Sequence, residues 1–254
     1  MNLQVCDCRL SQLATLWSVV CQAHHGPEDA MRSARQRLLE RYGGAARRYL
    51  LGAVREPDAA DELFQEFALR FLRGDFRRAD PERGRFRNFL KTSLFRLVAY
   101  YRRRQRKQPL PLRSDFLEPA VTDPEPADCY DQEFLRSWRD ELLARAWAAL
   151  ERAQEKTGQP YHVVLRFRAE HPDTASPAIA ERLTAQLGRP LTSAGVRQLL
   201  HRARERFADA LLEEVAQSLA RSTDEHIEQE LTELGLLDYC RPALDRHASA
   251  GDAP

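Results

Sequence analysis

The clearest hydrophobic pattern in the chain lies in residues 58–107 and predicts two amphipathic helices joined by a turn. In the first helix the apolar residues recur three and four positions apart, as they do on one side of a helix. This side comprises Ala60, Leu63, Phe64, Phe67, Ala68 and Phe71. Gly74 is a typical helix end. The second helix is predicted to start near Phe86, and its apolar side comprises Phe86, Phe89, Leu90, Leu94, Leu97, Val98 and Tyr101. The two helices are therefore expected to bury a common seam.

The outward faces of these two helices differ in charge. The first face comprises Asp61, Glu62, Gln65 and Glu66 around Leu69. The second face comprises Asn88, Lys91, Thr92, Phe95, Arg102 and Arg103. From Arg70 to Lys107 the net charge is +11, although the whole chain of 254 residues carries only +1. Such a local excess indicates a polyanion partner. A solvated surface helix is the ordinary alternative, but an aromatic side chain among arginines is suited to stacking on unpaired bases.

Helical periodicity also dominates the rest of the chain, and no long run of alternating β-branched residues occurs. Residues 10–55 predict two helices with a break near Gly26 and Pro27. Residues 176–207 predict two helices joined by a turn, with Pro177 at the first helical position. The sequence therefore predicts an all-α protein of two small helical domains. These are an N-terminal helical bundle in residues 10–107 and a C-terminal helix-turn-helix domain in residues 140–221.

The second helix of a helix-turn-helix enters the major groove of duplex DNA. In residues 193–207 one side of the predicted helix is apolar and the other is polar or basic. Arg197 and Arg202 are candidates for contacts with guanine edges or phosphates, and Gln198 is a candidate for adenine. The candidate DNA-binding residues of this domain are Thr192, Ser193, Arg197, Gln198, His201 and Arg202.

Two acidic segments flank the second predicted domain. Residues 108–141 contain five prolines and a net charge of −6, which predicts a flexible acidic linker over residues 108–139. Residues 209–238 carry a net charge of −8. Ser222 and Glu225 form a capping box before a helix that Gly235 ends, within an acidic C-terminal extension of residues 222–254. This extension is either a solubilising helix packed on the domain or a regulatory segment that covers the basic recognition helix.

Composition and motifs disfavour several other classes of protein. No apolar run approaches the roughly 20 residues that span a bilayer, and the N-terminus does not have the pattern of a signal peptide, so a cytoplasmic location is expected. The five cysteines are odd in number and scattered, which argues against a disulfide framework. No strong zinc-site spacing, phosphate-binding loop or nucleophile motif is found among the residues. We therefore expect no metal, no cofactor and no enzymatic activity.

Two blocks of the chain resemble conserved regions of bacterial sigma factors. Residues 58–72, 80–90 and 102–107 resemble the second conserved region, most closely that of the extracytoplasmic-function (ECF) group. Residues 196–207 resemble the promoter-recognition helix of the fourth conserved region. The chain departs from the family at residues 95–97, where Arg-Asn-Leu is frequent, and in a longer turn at residues 188–191. These departures concern the individual promoter contacts rather than the general role.

The resemblance implies a protein that binds core RNA polymerase and directs promoter recognition, DNA melting and transcription initiation, without covalent chemistry of its own. The implied polymerase-binding residues are Asp61, Glu62, Gln65, Glu66 and Leu69. The residues implied in promoter melting are Arg85, Arg87, Asn88, Lys91, Phe95, Arg96, Arg102 and Arg103. The helix-turn-helix domain would bind the upstream promoter element as duplex DNA. An anti-sigma factor is a further implied partner, and a membrane is not.

Two other classes of function can be compared with this one. A stand-alone helix-turn-helix DNA-binding transcriptional regulator, or an RNA-binding protein, would explain the basic face but not the acidic face beside it. A helical metallohydrolase would use His24, His25 and nearby carboxylates, but no paired His-x-x-x-His or Glu-x-x-His occurs on a predicted helix. Cys6, Cys8, Cys21, His24 and His25 could also be drawn as a metal site. Their spacing does not match the usual pairs of zinc ligands.

Overall fold

A computed structural model of the chain describes residues 19, 23, 27–73, 86–105, 127–188, 190–219 and 223–251, except for the side chains of residues 127–130, 250 and 251. Its regular structure in these residues is entirely α-helical, which confirms the predicted all-α class. The helices are α1 (Glu28–Val54), α2 (Pro57–Arg73), α3 (Phe86–Gln105), α4 (Ala127–Thr157), α5 (Tyr161–Glu170), α6 (Ser176–Leu187), α7 (Ser193–Ser218), α8 (Asp224–Glu233) and α9 (Leu237–Gly251).

The chain divides into two compact units. Unit 1 takes the described residues of Met1–Glu141 and Ala216–Glu230, and unit 2 takes those of Leu142–Val215 and Leu231–Pro254. The predicted break before α1 is observed, since this helix begins directly after Pro27. The predicted seam between α2 and α3 is also present, because Leu63, Phe67 and Phe71 of α2 and most of the apolar side of α3 are buried. The exceptions on α3 are Phe89 and Tyr101, which are half-buried.

The predicted linker is the main difference between the expected and the observed organisation. Residues 127–139 are helical, and Phe134 and Trp138 are buried in the core of unit 1. The indole of Trp138 stacks on Tyr42 with ring centroids 5.0 Å apart, and Tyr42 in turn contacts Phe86 at 4.9 Å. The prolines that suggested a linker all precede residue 127, so they do not interrupt this helix. The aromatic residues, rather than the acidic composition, determine where residues 131–139 pack.

Glycines of α1 allow the first part of α4 to pack closely against it. A Cβ atom at Gly44 would collide with the carboxylate of Glu141, and one at Gly52 would collide with that of Glu133. The two glycines are two helical turns apart, as are the two glutamates in the reverse order, which indicates antiparallel packing. Glu141 also forms an ion pair with Arg48 of α1. Helix α1 is continuous through Gly43 and Gly44.

Unit 2 contains the predicted pair of helices and additional helices around it. The segment from Tyr161 to Arg168 belongs to helix α5. Trp147 packs on Phe207 with ring centroids 4.8 Å apart, and Phe207 contacts Tyr239 at 5.9 Å. The C-terminal extension forms two helices where only one was predicted. The prediction missed α9 because Pro242 lies inside it, and an internal proline usually ends a helix.

Candidate functional site

The acidic face of α2 is exposed as predicted, but two of its carboxylates are already paired within unit 1. Arg47 of α1 donates from Nε to Asp61 Oδ1 at 2.8 Å and from Nη2 to Oδ2 at 3.1 Å. This hydrogen bonding lowers the pKa of Asp61. Glu66 forms an ion pair with Arg70 one helical turn later. Glu62 and Gln65 are exposed, and Leu69 between them exposes 54% of its surface. The face therefore combines partly neutralised carboxylates with one exposed apolar side chain.

A cavity of about 280 Å³ opens beside Leu69, between the acidic face and the C-terminal half of α3. Its lining residues are Glu62, Leu63, Gln65, Glu66, Leu69, Tyr100, Tyr101 and Arg104. The two tyrosines and Arg104 were not predicted as part of this face. Tyr101 follows the apolar spacing of α3, and no residue type or spacing in the sequence indicated where its hydroxyl would lie. The Tyr101 hydroxyl lies 3.4 Å from Glu56 Oε2. Carboxylates with aromatic rings beside them can accept a cationic or apolar side chain of a partner.

The residues predicted to bind a melted strand fall into two groups on α3. Asn88, Phe95 and Arg103 are exposed as expected. The cations on the flank of α3 are less exposed than these three residues. Lys91 lies 3.1 Å from Asp131 of α4, and Arg102 donates to the carbonyl oxygen of Ala53 at 2.9 Å. Partial burial lowers the pKa of Arg96, and Arg85 lies outside the described residues. The basic face is therefore narrower than the sequence predicts.

Arg87 requires a correction, because it was predicted to face a DNA strand and is buried. Its exposed fraction is 5%, and its Nη1 lies 2.8 Å from Oε1 of Glu230, which is 1% exposed. Glu230 belongs to the part of α8 that lies in unit 1. A helical wheel of α3 gives no warning of this, since the covering residue is 143 positions further along the chain. Arg87 therefore does not face solvent in this structure.

In unit 2, the turn between α6 and α7 is held by backbone and hydroxyl groups. Gly188 ends α6 with a φ of 64°, a left-handed conformation that glycine adopts without strain. The amide of Leu191 donates to Thr184 Oγ1 at 2.9 Å, and the amide of Gly195 donates to Thr192 Oγ1 at 3.0 Å. Thr192 thus caps the start of α7, and its hydroxyl stabilises the first turn of this helix.

The remaining predicted DNA-binding residues of α7 share one exposed face. Arg197, Gln198, His201 and Arg202 are exposed, and Arg197 donates to the hydroxyl of half-buried Ser193 at 2.8 Å. The opposite side of the helix is buried through Val196, Leu200, Ala203 and Phe207. In the described part of the extension that belongs to unit 2, Arg246 of α9 contacts Asp209 at 2.8 Å and Glu205 at 3.8 Å, further along α7.

Within the described part of the chain, no group of three or more His, Cys, Asp or Glu side chains is arranged to hold a metal ion. The candidate ligands in residues 6–25 lie outside this part. Among the described helices, none is long and apolar enough to cross a bilayer.

Comparison with known proteins gives one family match. Residues 38–108 match the family model of sigma-70 region 2. No curated protein and no solved structure matches the chain significantly. The matched segment contains α2, α3 and the residues between them, together with most of α1. It therefore includes both the acidic face and the basic face. Sigma factors are non-enzymatic initiation factors that bind core RNA polymerase and promoter DNA. Residues 38–108 are therefore similar to region 2 of sigma-70 factors, which indicates a role in promoter recognition by RNA polymerase.

Proposed function

We propose that this chain is a sigma factor of the ECF group that binds core RNA polymerase through α2 and a melted promoter strand through α3. One observation carries the proposal. Within the matched segment, an acidic face with an exposed leucine and a basic face with an exposed phenylalanine lie on adjacent helices of one unit. A single small unit with these two faces can contact a basic protein surface and a polyanion at the same time.

The acidic face has the composition of a protein interface. An exposed leucine in a ring of polar groups favours burial against a partner, and the surrounding carboxylates favour a basic partner. Glu62 is the best candidate for an ion pair with the polymerase, since it is exposed whereas Asp61 and Glu66 already contact arginines of unit 1. The cavity beside Leu69 offers a place for one apolar or cationic side chain of the polymerase.

The basic face of α3 is suited to a single strand. Phe95 is 38% exposed and can stack on an unpaired base, and Asn88 and Arg103 on the same helix can contact base edges or phosphates. Extrusion of a base from a duplex costs a few kcal/mol, which stacking and phosphate contacts must offset. In the proposed mechanism the polymerase performs the chemistry and this surface stabilises the open strand.

The exposed face of α7 is the proposed contact with the upstream promoter element. Arg197, Gln198 and Arg202 have the donor groups that read guanine and adenine in the major groove. The residues that hold the turn, Thr184, Thr192 and Gly188, give this face a fixed position on its unit. An anti-sigma factor remains a proposed partner, for which the exposed acidic face is the candidate surface.

The test is a binding assay with core RNA polymerase followed by in vitro transcription from a genomic fragment library. Glu62→Arg reverses the charge of the acidic face, and we expect at least a tenfold loss of polymerase affinity, since like charges at an interface are strongly unfavourable. Asp140→Arg makes the same change at an exposed site of α4 in the same unit and should bind normally. Phe95→Ala should bind the polymerase normally but reduce transcription.

Two results would contradict the proposal. Equal polymerase binding by the Glu62→Arg and Asp140→Arg variants would remove the role of the acidic face. Failure of the wild-type chain to bind polymerase, together with stable binding to duplex DNA, would instead favour a stand-alone DNA-binding regulator.

A further inference from the structure

The ion pair between Arg87 and Glu230 links two parts of the chain that the sequence gives no reason to connect. Arg87 is in the first turn of α3, within the matched segment. Glu230 is in α8, within an acidic stretch whose net charge is −8. Both side chains are almost completely buried, and their atoms Nη1 and Oε1 are 2.8 Å apart. Ile227, one helical turn before Glu230, is also fully buried. This part of α8 is therefore packed into unit 1 rather than loosely attached.

A buried ion pair is a costly arrangement unless both charges stay together. Removing charges from water is unfavourable, and the attraction between them offsets this cost only while the pair is intact. A guanidinium binds carboxylates and phosphates in the same forked geometry. Glu230 thus occupies Arg87 with the kind of group that a nucleic-acid backbone would provide.

A second cation on the same flank of α3 is occupied in a similar way. Lys91 lies one helical turn after Arg87 and contacts Asp131 of α4 at 3.1 Å. Both carboxylates come from outside residues 38–108, which match sigma-70 region 2. Segments added to the matched region therefore neutralise two of the cations predicted to bind a melted strand.

We propose that α8 is an autoinhibitory element in which Glu230 takes the place of a strand phosphate at Arg87. Dissociation of α8 exposes Arg87 and extends the basic face toward the start of α3. This inference rests on the proposed strand-binding role of α3. It differs from the regulatory alternative of the sequence analysis, in which the extension covers the recognition helix α7, because Arg197, Gln198, His201 and Arg202 of α7 are exposed.

The proposal requires that α8 and a nucleic-acid strand compete for Arg87. By thermodynamic reciprocity, a strand that binds better when α8 is released must also weaken the attachment of α8. Neutralising Glu230 leaves the guanidinium buried without its carboxylate, which favours release of α8. Both consequences can be measured on the full chain.

The first experiment measures binding of a labelled single-stranded oligodeoxynucleotide of mixed sequence by fluorescence anisotropy at several salt concentrations. We expect Glu230→Gln to bind about tenfold more tightly than the wild type, an ordinary magnitude for coupling between two sites. Its affinity should also fall more steeply with salt, since one more phosphate contact is made. Glu225→Gln is the control, because Glu225 is an exposed glutamate of the same helix, and it should bind as the wild type does. The double variant Arg87→Gln/Glu230→Gln should lose the gain.

The second experiment measures hydrogen–deuterium exchange of the wild-type chain and does not depend on the folding of a variant. Amides of residues 224–230 should lose protection when the oligonucleotide is added, whereas a merely structural α8 would keep it. Unchanged protection in α8, or a gain in affinity that survives loss of Arg87, would overturn the inference. If neither the wild type nor Glu230→Gln binds the strand, the inference is also wrong, although polymerase binding through α2 could still be observed. Conversely, competition between the strand and α8 in a chain that does not bind polymerase would support the inference and contradict the proposed function.

Discussion

Helices α3 and α7 were both predicted to be basic DNA-binding helices, but they differ in how much of the predicted face is open to solvent. On α7 four of the residues predicted to bind DNA, Arg197, Gln198, His201 and Arg202, are exposed. On α3 Arg87 is buried, Lys91 and Arg102 have partners from other helices of unit 1, and only part of the basic face is exposed. For both helices, the helical wheel separates the apolar side from the polar side equally well. What differs is whether distant segments of the chain pack on the polar side.

Amphipathic periodicity therefore identifies the buried side of a helix but does not guarantee that the other side is exposed to solvent. The core sides of α6 and α7 are both buried, and α6 ends six residues before α7 begins. The flank of α3 is covered by Asp131 and Glu230, which are 40 and 143 positions away from their partners. Four measurements test this difference between α3 and α7.

The largest expected effect concerns the claim that α4 belongs to the core of unit 1. Trp138→Ala removes a fully buried indole that stacks on Tyr42, and we expect a loss of about 4 kcal/mol in the free energy of unfolding. Urea-induced unfolding followed by circular dichroism measures it. Asp140→Ala, at an exposed site of the same helix, should change stability by less than about 0.5 kcal/mol. Equal stability of the two variants would contradict the packing of α4 in the core and support the flexible linker that the composition predicts.

The next effect concerns the covering of α3. Arg87→Ala leaves the Glu230 carboxylate buried without its partner, and we expect the opening of α8 to become easier by about 3 kcal/mol. Native-state hydrogen exchange in residues 224–230 measures this local opening. The matched control is Arg103→Ala, since Arg103 is an exposed arginine of the same helix. Exchange that is equally slow in both variants would show that the ion pair does not hold α8.

A smaller effect is expected on α7, whose predicted face needs no release. Arg202→Ala should weaken binding to a duplex promoter fragment by about 2 kcal/mol, a typical value for the loss of one arginine contact to a base. Electrophoretic mobility shift with the polymerase-bound chain measures this affinity. Arg152→Ala removes an equally exposed arginine from α4 in unit 2 and should have little effect. If the two variants bind equally, Arg202 does not contact the DNA.

The smallest effect concerns pH and the packing of α9. Burial raises the pKa of the Cys240 thiol to about 12 from its ordinary value of 9.0, and burial also raises the pKa of Tyr239 to about 12. Both groups therefore stay protonated in the folded chain at a pH where the unfolded chain ionises. We expect these two groups to add no pH dependence to the free energy of unfolding below about pH 8.5 and to lower it as the pH rises toward 12. Urea unfolding as a function of pH measures the slope. Cys240→Ala should reduce it and leave the contribution of Tyr239, whereas an unchanged slope would show that the thiol does not contribute.

The all-α class, the seam between α2 and α3, and the approximate positions of α6 and α7 could be predicted from the sequence alone. These features depend on residues that are close together in the chain, so periodicity, proline and glycine positions and helix caps are sufficient to predict them. The resemblance to sigma factors also depends on local runs of residues, and the match of residues 38–108 to sigma-70 region 2 agrees with it.

Which polar residues are exposed depends on the tertiary packing. The acidic composition of residues 108–141 suggested a tether, but Phe134 and Trp138 bury large aromatic surfaces and anchor this part of α4 in the core. The burial of Arg87 depends on a carboxylate from α8, and no local pattern encodes a pairing over such a distance. The same holds for Tyr100 and Arg104, which the cavity brings beside the acidic face. Burial is a property of the whole packed unit, and a helical wheel describes one helix at a time.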